Sequence, residues 1–261
     1  MARLQLVEIH EQPWCPAVIR EGITGTLQFI ANTLPAYEGI MPEFAKSLEA
    51  SGQKRIIDLC SGGGGPWRKL IPLLPEQIEE IILTDLFPNT GAFKHLQNAT
   101  HERIHFEENS VDVSQVPEHL KGFRTIFAAF HHFEPETAKA ILQDAVNQRQ
   151  GIAIFELTER HIGAILFITL ASALFAFAAV PFIRPFRWQY ALFTYLIPII
   201  PLVLMIDGLT SCMRTYSPAQ LRELISELDA PGYTWKVGRY QGWTSPLPVI
   251  HLIGYPEQDH T

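Results

Sequence analysis

Three aspartates carry the chemistry that is most legible in this chain. Asp58 sits near the end of the aliphatic run Arg55 to Leu59, Asp85 ends the run Glu80 to Asp85, and Asp112 follows a weaker run, Arg103 to Glu107. After the first of them come Cys60, Ser61 and four glycines, Gly62, Gly63, Gly64 and Gly65. Glycine lets a backbone pass close to a ligand because no Cβ intervenes. A strand running into such a loop, and then into a helix opened by Pro66, presents N–H groups to a ligand in the crevice at the strand's carboxyl end. A carboxylate at the tip of the following strand can accept both hydroxyl hydrogens of a ribose. These residue types in this order point to a nucleoside cofactor. They do not make a P-loop, which needs Gly-Lys-Ser/Thr, since the first lysine after the glycines is Lys69. The dinucleotide pattern G-x-G-x-x-G would need a glycine where Trp67 stands.

The elements that must position these groups follow from periodicity. Strands are expected over Arg55 to Leu59, Glu80 to Asp85, Arg103 to Glu107, Arg124 to Phe130 and Gly151 to Glu156. Helices intervene, one from Pro66 to about Leu74 and one from about Pro135 to Gln148. Ser217-Pro218-Ala219-Gln220 is a capping box with proline in the first turn; it opens a helix through Leu228, and Tyr233 to Tyr240 and Val249 to Tyr255 then read as a strand pair. Alternating strands and helices imply an α/β sandwich around a mostly parallel sheet.

The stretch Asp58 to Gly65 resembles motif I of the class I S-adenosylmethionine-dependent methyltransferases, D-x-G-x-G-x-G, with Cys60 and Gly62 where that pattern has Gly and x. The resemblance covers Arg55 to Glu156 by motif and Ser217 to Tyr255 more loosely. It implies a Rossmann-like three-layer sandwich with a seven-stranded sheet whose last strand inserts antiparallel, and S-adenosylmethionine as cofactor, released as S-adenosylhomocysteine. By the same resemblance Asp58, Cys60, Ser61 and Gly62 to Gly65 hold the amino-acid portion, and Asp85 with Leu86 the ribose. Asp112 and Val113 hold the adenine, and Ala128 leaves room at the methionine end. The turn His131-His132-Phe133 after the fourth strand looks like the family's, which makes His131 and His132 candidate general bases, with Glu156 at the tip of the fifth strand beside them. The helical stretch before the first strand implies a lid, with Trp14, Arg20 and Tyr37 as its candidate residues. A nicotinamide-dependent oxidoreductase would use the same glycines and Asp85, and a non-catalytic membrane adaptor could keep the fold; both stay open.

One segment breaks the pattern. Ile162 to Ile183 and Trp188 to Ile206 hold no charged residue, and only Arg184 and Arg187 interrupt them. Each run, at about 20 residues, is long enough to cross a hydrocarbon core. Pro181, Pro185, Pro198 and Pro201 break it, and a far-side placement of the two arginines would oppose the positive-inside bias, so a hairpin lying in the interface competes with a spanning one and with a soluble cap. The expected division is an N-terminal extension (1–54), a cofactor core (55–160), an apolar insert (161–206) and a C-terminal part completing the core (207–261). The insert suggests a small lipophilic acceptor.

Composition sets the remaining limits. A net charge of -7 tells against a nucleic-acid partner, whose phosphates need clustered Lys and Arg. Cys15, Cys60 and Cys212 lie far apart without a C-x-x-C pair, so no metal and no disulfide framework is expected. The opening residues show no apolar signal core, so no cleaved secretion signal is expected. These readings place the protein in the cytoplasm or on the inner face of a membrane, and are compatible with a homodimer.

Overall fold

The computed structural model describes residues 1–100, 103–242, 245 and 247–257. An extended N-terminal stretch leads to α1 (Ala17–Thr33) and α2 (Met41–Ser51), the latter ended by Gly52 in the left-handed conformation at φ 66°. The core then alternates through β1 (Arg55–Leu59), α3 (Trp67–Leu70), β2 (Glu80–Leu83), α4 (Thr90–Ala99), β3 (Ile104–Phe106), β4 (Phe123–Phe127), α5 (Pro135–Asn147) and β5 (Ile152–Glu156). The insert forms α6 (Ile162–Ala179), α7 (Trp188–Ala191) and α8 (Ile199–Arg214). The chain closes with α9 (Pro218–Ser226), β6 (Tyr233–Tyr240) and β7 (Val249–Pro256). Ser217 and Gln220 make the capping box of α9 as expected.

The strands form one sheet in the order β3-β2-β1-β4-β5-β7-β6. Only β7 runs against its neighbours, lying antiparallel to both β5 and β6. Because side chains alternate along a strand, Ile56 and Ile57 face opposite layers. Ile56 joins Ile81, Phe123 and Phe155 under Phe44 and Leu48 of α2. Ile57 joins Ile126 and Ile154 against Ile141 and Leu142 of α5 and Leu221 of α9. Burying an aliphatic or aromatic side chain of this size contributes about 1.5–3 kcal/mol, so these two layers hold the sheet.

Two elements differ from the sequence reading. The helix after the glycine loop is one α-turn followed by a 3-10 turn, Ile71–Leu73, because Pro72 supplies no N–H to continue the ladder. A helix that short has little macrodipole, so the loop itself must provide whatever polarity the crevice has. The boundary drawn at 206/207 also falls inside α8, which runs on to Arg214. Asp207 does not end the insert; it is buried in the middle of its last helix.

The insert lies on the body along its whole length. Ala176 of α6 and Ile200, Val203 and Leu204 of α8 pack on Ile19 and Ile23 of α1. At the far end, Phe182 stacks on Phe29 with ring centroids 5.2 Å apart, and Arg187 reaches Glu21 at 2.8 Å. Pro185 abuts Gly91 at the start of α4 so closely that a Cβ there would lie 3.2 Å from its ring. Both ends of α6 therefore touch the body. The opposite face is apolar and exposed: Leu166, Leu170, Leu174 and Phe177 on α6, beside Ile199, Leu202, Ile206 and Leu209 on α8. Their spacing of three and four residues places each set on one helical face.

Candidate active site

The glycine loop is braced by two aspartates in different ways. Asp58, 1% exposed, lies beneath it: Thr125 Oγ1 and Ser61 Oγ donate to its two carboxylate oxygens, each at 2.7 Å. Burial pushes this carboxyl up to about 6, against the hydrogen bonds from Ser61 and Thr125. Asp85 stands beside the loop, and its Oδ2 accepts from the Gly62 N–H at 2.7 Å while Oδ1 accepts from the Phe87 N–H at 2.8 Å. The Gly64 and Gly65 N–H groups both turn back to the Ser61 carbonyl, at 2.8 and 3.1 Å. The N–H groups of Gly62, Gly64 and Gly65 are thus committed within the protein, which corrects the expectation that the loop would present them free to a ligand. Close approach explains the glycine at 63, where a Cβ would meet the Thr24 carbonyl oxygen of α1 at 2.8 Å. Cys60 and Ala128, at the ends of the adjacent strands β1 and β4, hold the left-handed conformation without being glycine, at φ 58° and 49°. Such outliers cluster where a backbone is bent around a site.

Above these strand ends is a cavity of about 500 Å³. Its floor is Cys60, Ser61, Gly62, Gly63 and Gly65 from the loop, Asp85 and Leu86 after β2, Asp112 and Val113 after β3, and Ala128 and His132 after β4. Its roof comes from α1, through Thr24, Leu27 and Gln28, and from α6, through Phe167, Ile168, Ala171 and Phe175. Asp112 is exposed, with Oδ1 taken by the Ser114 N–H and hydroxyl at 2.8 and 2.7 Å. Phe167 and Leu27 line the cavity and are also exposed, so its mouth opens beside the apolar face of the insert.

Five of the residues picked out in the sequence do not line it. Asp58 is spent on holding the loop, and Gly64 faces Leu96 and Gln28 instead. Glu156 is turned away from the cavity: its Oε2 pairs with His131 Nδ1 at 2.8 Å and its Oε1 accepts from the His131 N–H at 3.0 Å. His131 is 2% exposed, with Nε2 3.4 Å from Glu8 Oε1. Burial opposes charge on this imidazole, but Glu156 and Glu8 raise it to about 9. Its position away from the cavity rules out direct contact with a ligand there. Of these two histidines it is His132 that faces the cavity, and burial lowers it to about 4. Of the lid candidates, Arg20 and Tyr37 line the cavity, whereas Trp14 points to solvent.

The residues that sequence reasoning missed are those of the N-terminal stretch. Asp207 of α8 accepts from the Ile9 and His10 N–H groups at 2.8 and 3.1 Å, and from His10 Nδ1 at 2.8 Å. Arg214 pairs with Glu11 at 3.1 Å and donates to the carbonyls of His131, at 3.2 Å, and His132. Arg3 donates to the Phe133 carbonyl at 2.8 Å. The strap, the insert and the turn after β4 are thereby tied into one polar cluster next to the cavity. Its signal in the sequence was a density of charge over Glu8 to Glu11, without any spacing that pointed to position 132.

No family model matches the chain, and no curated protein matches it. Solved structures do resemble it. A protein from Rhodobacter sphaeroides described as a Zn-dependent alcohol dehydrogenase superposes with a TM-score of 0.51 at 13% identity, covering 91% of this chain and 98% of that one. Human N-acetylserotonin methyltransferase in complex with SAM gives 0.49 at 14% identity, covering 89% of this chain and 56% of that one. An O-methyltransferase family protein from Burkholderia thailandensis gives 0.46 at 14% identity, covering 85% and 57%. The chain thus spans little more than half the length of these two methyltransferases. At such identities the likeness is one of fold. The sheet supplies the deciding detail, because a dinucleotide-binding sheet runs parallel in the order 3-2-1-4-5-6, whereas here the reversed β7 is wedged between β5 and β6. This is the class I methyltransferase fold. In that fold the cavity lies at the carboxyl ends of β1, β2 and β4, on either side of the point where the strand order reverses.

Proposed function

We propose that this protein binds S-adenosylmethionine and transfers its methyl group to a small lipophilic acceptor. One observation carries the reading: the glycine loop, Asp85 and Asp112, arriving from three successive strand ends, face one cavity roofed by α1 and the apolar underside of the insert. Asp85 would accept the ribose hydroxyls with the lone pairs its two backbone partners leave free. The unbonded oxygen of Asp112 would accept from the adenine amino group, with Val113 against the ring. Cys60, Ser61, Gly62, Gly63 and Gly65 would surround the amino-acid portion, with Leu86 beside the ribose and Ala128 beside the sulfonium. In the reaction a nucleophilic atom of the acceptor forms a bond to the methyl carbon as the S–CH3 bond breaks. The bonding pair leaves with sulfur as a neutral thioether, and the acceptor's proton passes to water. Alignment in a closed cavity is the main contribution the protein would make. Within this reading His132 is the candidate for contact with the acceptor, while His131 and Glu156 position the turn that carries it.

The acceptor's lipophilicity is inferred from the roof, where Phe167, Ile168, Ala171 and Phe175 offer no hydrogen bonds beyond the backbone's. The exposed face of α6 and α8 would lie in a membrane interface, with Trp188 and Arg184 at headgroup level, and the cavity mouth beside Phe167 would open toward the acyl chains. Residues 1–54 and the insert, extended to Arg214, would act together as the lid.

The test is calorimetric titration of the purified chain with S-adenosylhomocysteine, repeated on Asp85→Ala. Losing two charge-assisted hydrogen bonds weakens binding by about 3 kcal/mol, on the order of a hundredfold. Absence of heat from folded wild-type protein, with heat from NAD instead, would replace the methyltransferase reading by the nicotinamide one.

A further inference from the structure

The polar cluster beside the cavity gathers carboxylates around two imidazole nitrogens: His10 Nδ1 lies 2.8 Å from Asp207 Oδ2, and His132 Nδ1 lies against Glu11 Oε1. Glu8 is 1% exposed, and its two oxygens look in different directions. Oε1 accepts from Ser211 Oγ at 3.0 Å and lies 3.6 Å from Arg214 Nη1. Oε2 faces two imidazoles, at 3.7 Å from His10 Nδ1 and 3.9 Å from His132 Nδ1, beyond the reach of a hydrogen bond. Ligands bound at about 2.0–2.2 Å to one tetrahedral ion lie about 3.3–3.6 Å apart, so a small closure of the two rings brings all three to a common centre. One ligand atom from each of Glu8, His10 and His132 lies within 4.8 Å of the others.

Two further features fit an ion at that centre. Asp207 Oδ2 lies 2.8 Å from the same nitrogen, His10 Nδ1, so an ion bound there would displace the ring proton and gain Asp207 as a neighbouring oxygen donor. Four carboxylates, Glu8, Glu11, Glu156 and Asp207, gather here with Arg214, His131, Arg3 and Arg20 around them, and a divalent cation would add positive charge directly between Glu8 and Glu11.

We propose that Glu8, His10 and His132, with Glu11 beside them, hold a first-row divalent cation in the wall of the cavity. Two imidazoles with one or two carboxylates suit zinc and its borderline neighbours, whereas calcium and magnesium prefer an all-oxygen set. His10, Glu11 and His132 line the cavity, so the ion keeps a coordination position open to whatever occupies it. Spacing along the chain conceals the set, because three of the four ligands come from the N-terminal strap and the fourth from the turn after β4. The expectation of no metal rested on cysteine spacing, and this set contains no cysteine.

The experiment uses the full chain, stripped with chelator and titrated with Zn²⁺ alone by calorimetry and with Co²⁺ followed by visible absorption. The expected result is one ion per chain with micromolar or tighter affinity, and a Co²⁺ spectrum of a four- or five-coordinate site. His10→Ala and Glu8→Gln each lower the Zn²⁺ affinity at least thirtyfold, Asp207→Asn lowers it at least tenfold, and the exposed His95→Ala leaves it unchanged. Folded wild-type protein that binds no ion at hundred-micromolar Zn²⁺, or whose affinity survives both His10→Ala and Glu8→Gln, overturns the proposal. Should these variants fail to fold, the wild-type Co²⁺ spectrum decides, since a weak octahedral, water-like spectrum also overturns it.

Discussion

Replacing Asp58 by Asn separates a residue that holds the loop from one that holds a ligand. The carboxyl is buried and titrates near 6 in the folded protein, against an ordinary value of 3.8. A carboxyl raised in this way favours folding only while it is protonated. Its contribution is fully present below the unfolded value and is lost as pH rises through the folded one, so between about pH 4 and 6 the native state loses about 3 kcal/mol. Asn resembles the protonated acid in shape and cannot ionise. Its amide must be accommodated by re-aiming the hydroxyl of Ser61 or Thr125, at a cost of about 1 kcal/mol. Asp58→Asn is therefore expected to be more stable than the wild type by about 2 kcal/mol at pH 7, with the advantage gone by pH 4. Urea unfolding followed by tryptophan fluorescence, at half-unit steps from pH 4 to 7.5, reads this as a difference in midpoint at constant slope. Because the side chain does not line the cavity, affinity for S-adenosylhomocysteine should change by less than about threefold. A variant that is destabilised at pH 7 by an amount independent of pH would refute the argument, and so would a hundredfold loss of ligand affinity.

Other perturbations test other parts of the structure. Gly63→Ala puts a methyl group 2.8 Å from the Thr24 carbonyl, so α1 must lift from the loop; about 1–3 kcal/mol of stability and about tenfold in S-adenosylhomocysteine affinity should be lost, and unchanged binding would show that the two elements do not share a ligand. Asp144→Ala strands the guanidinium of Arg124, which is fully buried and bonded to Asp144 at 2.7 Å; it should cost about 3 kcal/mol in urea unfolding, and Arg124→Met with Asp144→Leu should recover most of it. Changing Leu170, Leu174 and Leu202 together to Gln removes three exposed apolar side chains from the face of the insert and should reduce flotation with lipid vesicles by more than tenfold while leaving S-adenosylhomocysteine binding intact; equal flotation would show that this face does not meet lipid.

Much of the architecture was legible because it is written locally. Alternating apolar runs mark the strands, and the capping box at Ser217 to Gln220 marks a helix start within four residues. The three aspartates were equally visible, yet residue type could not tell their roles apart. Asp58 lies inside β1, where the pleat turns its carboxylate beneath the loop toward Thr125 of the neighbouring strand. Asp85 and Asp112 lie beyond the ends of β2 and β3, where the backbone is free to turn a side chain into the crevice. The insert was opaque for another reason: a helix apolar all round has no periodicity to say which side meets protein. Packing on α1 made that choice, burying Ala176 and leaving Leu174 exposed.

The sequence by itself determined the order of strands and helices, the crossover loop with its glycines, and the carboxylates at the strand ends, since each follows from neighbours within a few positions. The tertiary structure decided what those groups face. It laid α6 of the apolar hairpin over the cavity as part of its roof, turned Glu156 and His131 away from it, and brought Glu8 and His10 to within a few ångströms of His132. Contacts of that kind join residues more than a hundred positions apart, and only packing, hydrogen bonding and charge balance in three dimensions select them.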